Sequence, residues 1–178
     1  MQNFLLNKPD KETEELSKRL GFEKTLFLDQ DFILLKREIR KSRKEIDQAK
    51  SKKKIVIYQP NSEEDLRYAL EHTSVDMVMG IEKIHPKDSL HYPRAGLDQV
   101  LCNLARENDK IIAFSFEELL NNNNRPKLLN RMAFNLKLCH KYKIKILFSN
   151  FSKNLWEMRA PKELIAVWEL LGGVSKEF

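Results

Sequence analysis

Short apolar runs rich in β-formers alternate with amphipathic stretches along nearly the whole chain, and this alternation limits the possible fold more than any other feature. Phe4 to Leu6 precede a segment in which Leu16 and Leu20 share a helical face that stops near Gly21. TLFLD at 25–29 and KIVIY at 54–58 read as strands, with a basic helix-like stretch between them. Pro60 and Asn61 give a turn, Ser62 with Asp65 is a capping pair, and Leu66, Ala69 and Leu70 line one face of the next helix. The order continues with a strand at 75–81, a short strand around Leu90, a helix at 97–107, a strand at 110–116, a helix at 125–142 and a strand at 144–150. Short helices around Leu155 and at 161–171 follow. Strand followed by helix, six or seven times, predicts a parallel α/β architecture with right-handed crossovers, doubly wound or closed into a barrel.

The chain has 178 residues, 42% hydrophobic and 33% charged, which predicts one globular domain spanning 1–178 with a charged surface. Eight-stranded β/α barrels run nearer ~250 residues, with a floor around ~200. A barrel on this length is therefore expected to be trimmed and to close imperfectly. No GxGxxG or GxxxxGK[ST] opens a helix, so neither a dinucleotide site nor a phosphate loop is encoded. Cys102 and Cys139 form no CxxC and sit in apolar helical stretches, which points to a reducing compartment. No apolar run approaches the roughly 18 residues of a membrane span, and the N-terminus lacks a signal-peptide layout, so the expected location is the cytoplasm, away from membranes.

The net charge of +6 is sorted into patches. Residues 36–54, the basic crossover, carry ten Lys or Arg against three acids, and residues 125–145 carry seven with no acid. On a helix Lys36, Arg40, Arg43 and Lys44 fall within a turn of one another, a row able to track phosphates. In the second element Leu128, Met132, Leu136 and Cys139 gather opposite Lys127, Arg131, Lys137 and Lys141. Phe134 and Leu138 project within that basic sector, which marks a contact surface for a protein or RNA. Arg94 and Arg159 each stand just before a helix start, where guanidinium groups suit phosphate oxygens; Arg106 lies opposite its helix's apolar face.

Catalytic signals are sparse. Glu82, His85, Asp88 and His91 recur at three-residue intervals after a strand, where barrel enzymes hold their chemistry, but span Pro86 and match no recognised ligand spacing. A stand-alone metal-dependent phosphoesterase built on these four is the alternative function, and it requires them to converge on one point. No serine or cysteine has a histidine partner at a motif spacing, so no catalytic residue is assigned.

From residue 94 onward three ordered blocks carry a resemblance: RAGLDQVLCNLARENDKIIAFSFEELL at 94–120, RPKLLNRMAFNLKLCHKYKIKILFSN at 125–150, and LWEMRAPKELIAVWELLGG at 155–173. Together they resemble the ribonuclease P protein component 3 family, the thirty-kilodalton-class subunit of archaeal and eukaryotic ribonuclease P. The family-like core spans 94–173. The resemblance implies a TIM-like (β/α) barrel, which on this chain length is expected to be short and incompletely closed, serving as a protein subunit of the endoribonuclease that removes the 5′ leader from precursor tRNA. It implies that the RNA subunit performs the chemistry with magnesium, and that this chain binds no cofactor. Implied partners are ribonuclease P RNA, precursor tRNA through the complex, and a small ferredoxin-like protein subunit. Arg94, Arg106, Lys110, Lys143 and Arg159 match basic positions of the family's motifs, where a basic residue either contacts RNA or holds a neighbouring loop. Arg40, Lys44 and Arg131 join them as RNA-binding candidates from charge alone, with Phe134 and Leu138 as the partner interface. The barrel also resembles phosphoesterases that bind metals through a His-x-His after the first strand; here that position reads Asn7, Lys8, Pro9. Relatives continue past the last helix into another strand and helix, so closure is expected to be incomplete.

Overall fold

A computed structural model describes residues 1–174; the last four residues of the expected 1–178 domain lie outside the described residues. Seven short strands alternate with helices: β1 (Gln2–Leu5), β2 (Lys24–Phe27), β3 (Phe32–Leu35), β4 (Ile55–Tyr58), β5 (Met77–Met79), β6 (Ile111–Ser115) and β7 (Lys145–Ser149). The helices are α1 (Lys11–Leu20), α2 (Arg43–Ser51), α3 (Glu63–His72), α4 (Gln99–Glu107), α5 (Phe116–Asn121), α6 (Arg125–Tyr142) and α7 (Pro161–Leu170). Their starts follow the local chemistry of capping, in which a side-chain oxygen accepts an otherwise orphaned backbone N–H. Asp10 accepts from Thr13 at 2.9 Å, Ser62 from Asp65 at 3.1 Å and Asp98 from Leu101 at 2.7 Å.

All strand pairs are parallel, in the orders β1-β2 and β3-β4-β5-β6-β7. Only residues 28–31 separate β2 from β3, far too few for a parallel crossover, which takes a dozen or more. The two therefore act as one strand broken by a turn: its first half pairs with β1, its second with β4. Asp29 takes φ 65° in that turn, and Asp31 Oδ2 accepts the Phe27 N–H at 2.8 Å. At the far edge, the end of β7 reaches back to β1. Ser149 Oγ accepts from Phe4 N–H at 2.9 Å, Phe151 N–H donates to Phe4 O at 2.8 Å, and Leu6 N–H donates to Ser152 O at 2.8 Å. This seam has an isolated bridge, Leu5 to Ser152, and no continuous ladder. The result is a TIM-like arrangement whose barrel does not close, as the chain length led us to expect.

The inward faces of the strands fill the barrel with Phe4, Leu26, Phe32, Ile57, Met77, Met79, Ala113 and Phe151. Phe4 packs against Phe32 and Phe151, each at 5.4 Å between ring centroids. The outward faces meet the helices in a second, larger layer that includes Val56, Val78, Ile112, Phe114 and Phe148 against Leu66, Leu70, Leu101, Leu136 and Trp168. With both faces covered, the strands carry no polar alternation, as parallel sheets require.

Three expectations need correction. The stretch between 29 and 54 is not all helical: FILL at 32–35 is β3, and the basic run divides into a 3-10 turn (Ile39–Ser42) and α2. The four-residue apolar run stands only two residues, Gln30 and Asp31, after TLFLD, too close for a crossover between two separate parallel strands to be expected. No strand forms at Leu90, which is 91% exposed in a loop bracketed by Pro86 and Pro93. The helix expected from Leu97 begins at Gln99, because Asp98 caps it.

Candidate nucleic-acid interface

α6 uses one polar stripe to hold a loop donated some 40 residues earlier in the chain. Arg131, only 3% exposed, donates from Nη1 to the carbonyls of Glu82 and His85, each at 2.7 Å, and from Nε to Asp88 at 2.8 Å. One turn earlier Lys127 donates to Pro86 O at 2.8 Å; one turn later Asn135 donates to Ala95 O at 2.8 Å and accepts the Leu97 N–H at 3.4 Å. Asp88 also accepts the Arg94 N–H at 2.9 Å. Burial opposes the charge on Asp88, but the hydrogen bonds from Arg131 and Arg94 outweigh it and hold the carboxyl below its ordinary range. The stripe expected to face RNA is thus partly turned inward. Arg131 is corrected from an RNA contact to the anchor of the 82–88 turn, because a guanidinium committed to two carbonyls and a carboxylate has little left to offer phosphate.

What the anchored loop builds is a groove of about 560 Å³ against α4 and α6. Arg94, Phe134 and Leu138, singled out separately in the sequence, line it together, with Tyr92, Lys141 and Tyr142. Arg94 and Lys141 are exposed, whereas Phe134 and Leu138 are half-buried walls. Tyr92, at 61%, and Leu90 expose apolar surface beside the groove. His85 lines it too; burial, then the Arg94 charge, hold its imidazole below its ordinary range despite Glu63 at 3.5 Å. Aromatic and apolar walls with a cationic rim suit both a protein surface and stacked RNA bases.

The remaining candidates divide into exposed cations and structural ones. Arg40 and Lys44 are exposed on the basic crossover, Arg106 on α4, and Lys143 at the end of α6, where it takes φ 56°. Lys110 is corrected: it is 7% exposed, and its ammonium donates to Thr73 O at 2.6 Å and Val75 O at 2.9 Å. It holds a loop, the second of the roles expected of a basic residue there. Arg159 is half-buried and donates from Nη1 to Trp156 O and Met158 O, both at 2.9 Å, so it too secures a turn.

The four residues of the phosphoesterase alternative do not converge. Asp88 faces Arg131, His85 faces Glu63, His91 is exposed, and Glu82 is buried beside Glu118. Among the described residues no group of three or more His, Cys, Asp or Glu side chains gathers as metal ligands. Asn7, after β1, donates to Thr13 at 3.2 Å. The residues sequence reasoning passed over are Asn135, Tyr92 and Tyr142. Only Asn135 carried a signal, its position one turn after Arg131 and two after Lys127.

Glu82 yields a pH prediction. Its carboxyl is 1% exposed, and neither oxygen has a hydrogen-bond partner. Burial first and the Glu118 charge second push it far above the ordinary 4.5. Between that value and the raised one the folded protein binds more protons than the unfolded chain, so stability falls as pH rises through this window. Glu82→Gln is expected to flatten the decline between about pH 5 and about pH 9, measured by denaturant melts. A variant that declines as steeply as the unmodified chain contradicts this.

No family model matches the sequence. The chain is 32% identical over 136 residues to ribonuclease P protein component 3 of Methanosarcina barkeri, covering 75% of this chain and 51% of that protein. It is 31% identical over 121 residues to the protein of the same name in Methanosarcina acetivorans (66% and 47%), and 32% over 108 residues to that of Methanococcoides burtonii (60% and 42%). The chain spans about half the length of the curated relatives it matches. In fold it is similar to a chain of an archaeal ribonuclease P solved with mature tRNA, with a TM-score of 0.81 at 20% identity over 99% of this chain and 85% of that one. An uncharacterized protein shares the fold more loosely, with a TM-score of 0.53 at 10% identity over 94% of this chain and 44% of the other.

Proposed function

We infer that this chain, a homologue of the ribonuclease P protein component 3 family, serves as a protein subunit of ribonuclease P and supports removal of the 5′ leader from precursor tRNA. The observation that carries this is the identity of 32% over 136 residues; the barrel shared across nearly the whole chain supports it. In this reading the chain binds ribonuclease P RNA and, through the complex, precursor tRNA. The groove walled by Phe134 and Leu138 docks a protein subunit, for which the small ferredoxin-like subunit is the candidate, and Arg94 at its rim meets RNA. The complex works in the cytoplasm.

The chain itself is a scaffold and the RNA subunit performs the hydrolysis with magnesium. Two features support this. Asp88 is held by Arg131, His85 faces Glu63, Glu82 is buried and His91 exposed, so the four do not meet; and Glu117 and Glu118, acids at the C-terminal mouth of the barrel, are paired with Lys153 and Lys83. That mouth is where barrel enzymes place their reacting groups.

Arg94→Ala is expected to slow leader removal by the reconstituted complex, most at low magnesium, where protein cations substitute best for the metal's screening. Cleavage equal to that of the unmodified complex at every magnesium concentration contradicts the role of Arg94. RNA binding should also fall steeply with salt, with a logarithmic slope of about −0.7 to −0.9 per phosphate contacted. A flat salt dependence removes the electrostatic component.

A further inference from the structure

The basic crossover and α3 together form a notch apart from the groove, and none of the functional assignments above uses its aromatic side. From the crossover come Arg40, on the 3-10 turn, and Arg43 with Asp47, one turn apart on α2; from α3 come Tyr68 and His72, also one turn apart. The Arg40 guanidinium lies 5.1 Å from the centroid of the Tyr68 ring, and the Tyr68 and His72 rings stand 5.1 Å apart at 59°. Three planar groups thus follow one another along one wall, the two rings tilted against each other. Ile39 and Ile46, both buried, make the apolar floor, while Thr73 and Ser74 place polar groups at the rim.

We propose that this notch receives one unpaired nucleotide of RNA, its base packed against the planar wall of Arg40, Tyr68 and His72 and its phosphates met by Arg43 and Lys44. The notch, of about 280 Å³, lies just below the usual range of small-ligand pockets, room for a single planar group and not for a duplex. Aromatic rings and guanidinium planes are the surfaces on which splayed-out RNA bases stack, and such stacking tolerates any base because each has a π-face. The charge agrees: Arg40 and Arg43 line the notch against one acid, Asp47, all three within the run that carries the chain's densest positive charge. Glu71, 3.8 Å from His72, lies 3.6 Å from Arg67. A duplex, whose bases are paired and stacked on one another, would meet only the outer cations.

The inference rests on the reading of this chain as an RNA-binding subunit and adds the class of RNA it takes and the residues that take it. The test uses the full chain and a single-stranded RNA of about 12 nucleotides, within the range of single-strand site sizes, carrying internal 2-aminopurine, whose fluorescence falls on stacking. Tyr68→Leu keeps an apolar side chain against the core, and Arg40→Lys keeps the charge while removing the plane. Each is expected to lose about tenfold in affinity and most of the quenching, with unchanged melting and an unchanged salt slope. Variants that bind and quench like the unmodified chain overturn the notch while leaving charge-driven RNA binding intact. An unmodified chain that binds no RNA and leaves leader removal by the reconstituted complex unaltered overturns the wider reading with it.

Discussion

Replacing Arg131 with alanine is expected to cost about 3–4 kcal/mol of stability, because a buried guanidinium bonded to a carboxylate is removed and its partners are left behind. Two of those partners are the carbonyls of Glu82 and His85, which lose donors in a region with little access to water; the third is Asp88. For a chain of this size the melting temperature should fall by roughly 10 °C. Arg131→Lys should recover only part of this, since a single ammonium cannot reproduce a planar fork reaching three oxygens. Hydrogen exchange should rise specifically in residues 84–98, the segment that Arg131 and its neighbours on α6 tie down. A melt within about 2 °C of the unmodified protein, with exchange unchanged in that loop, contradicts the anchoring role.

Gly96→Ala is expected to cost a similar amount, about 3 kcal/mol, through backbone geometry and overpacking. Gly96 holds φ 102°, and a Cβ there would stand 2.3 Å from the Ile81 carbonyl oxygen. Main-chain atoms of the turn cannot swing aside as a flexible side chain would, so loop and turn must separate. Gly21 supplies the control: its φ is 96°, but a Cβ there meets nothing within 4 Å. Gly21→Ala should cost only the conformational strain, about 1–2 kcal/mol, and the difference between the two variants isolates the clash. Because Arg94 and Leu97 flank Gly96 in the groove wall, Gly96→Ala should also weaken partner docking, as followed by co-purification of the reconstituted subunits. Equal melting of the two variants contradicts the close approach.

The architecture was legible because apolar periodicity and capping residues act locally. Leu66, Ala69 and Leu70 are all buried on α3 behind the Ser62 cap, as their spacing requires. β3 is hard to read because FILL follows TLFLD after only Gln30 and Asp31, too short a gap for two separate parallel strands to be expected, and the break rests on Asp29 at positive φ. The candidate site was legible only in its parts. Arg94, Phe134 and Leu138 each stood out, but nothing within a few residues of any of them says that they share a groove. The stripe of Lys127, Arg131 and Asn135 looks like a solvated helix face until the loop at 82–97 is laid across it from more than 35 residues away. Which of its two expected roles Lys110 fills is hidden for the same reason: the carbonyls it holds, Thr73 and Val75, lie 37 and 35 residues earlier.

The most direct measurement is leader removal from precursor tRNA by ribonuclease P RNA reconstituted with its protein subunits, with and without this chain, across a magnesium titration. A scaffold that binds RNA and a partner subunit predicts faster cleavage and a lower magnesium requirement when the chain is present, with no cleavage by the chain alone. Identical rates with and without it at every magnesium concentration, or leader removal by the chain in the absence of RNA subunit, would contradict that account.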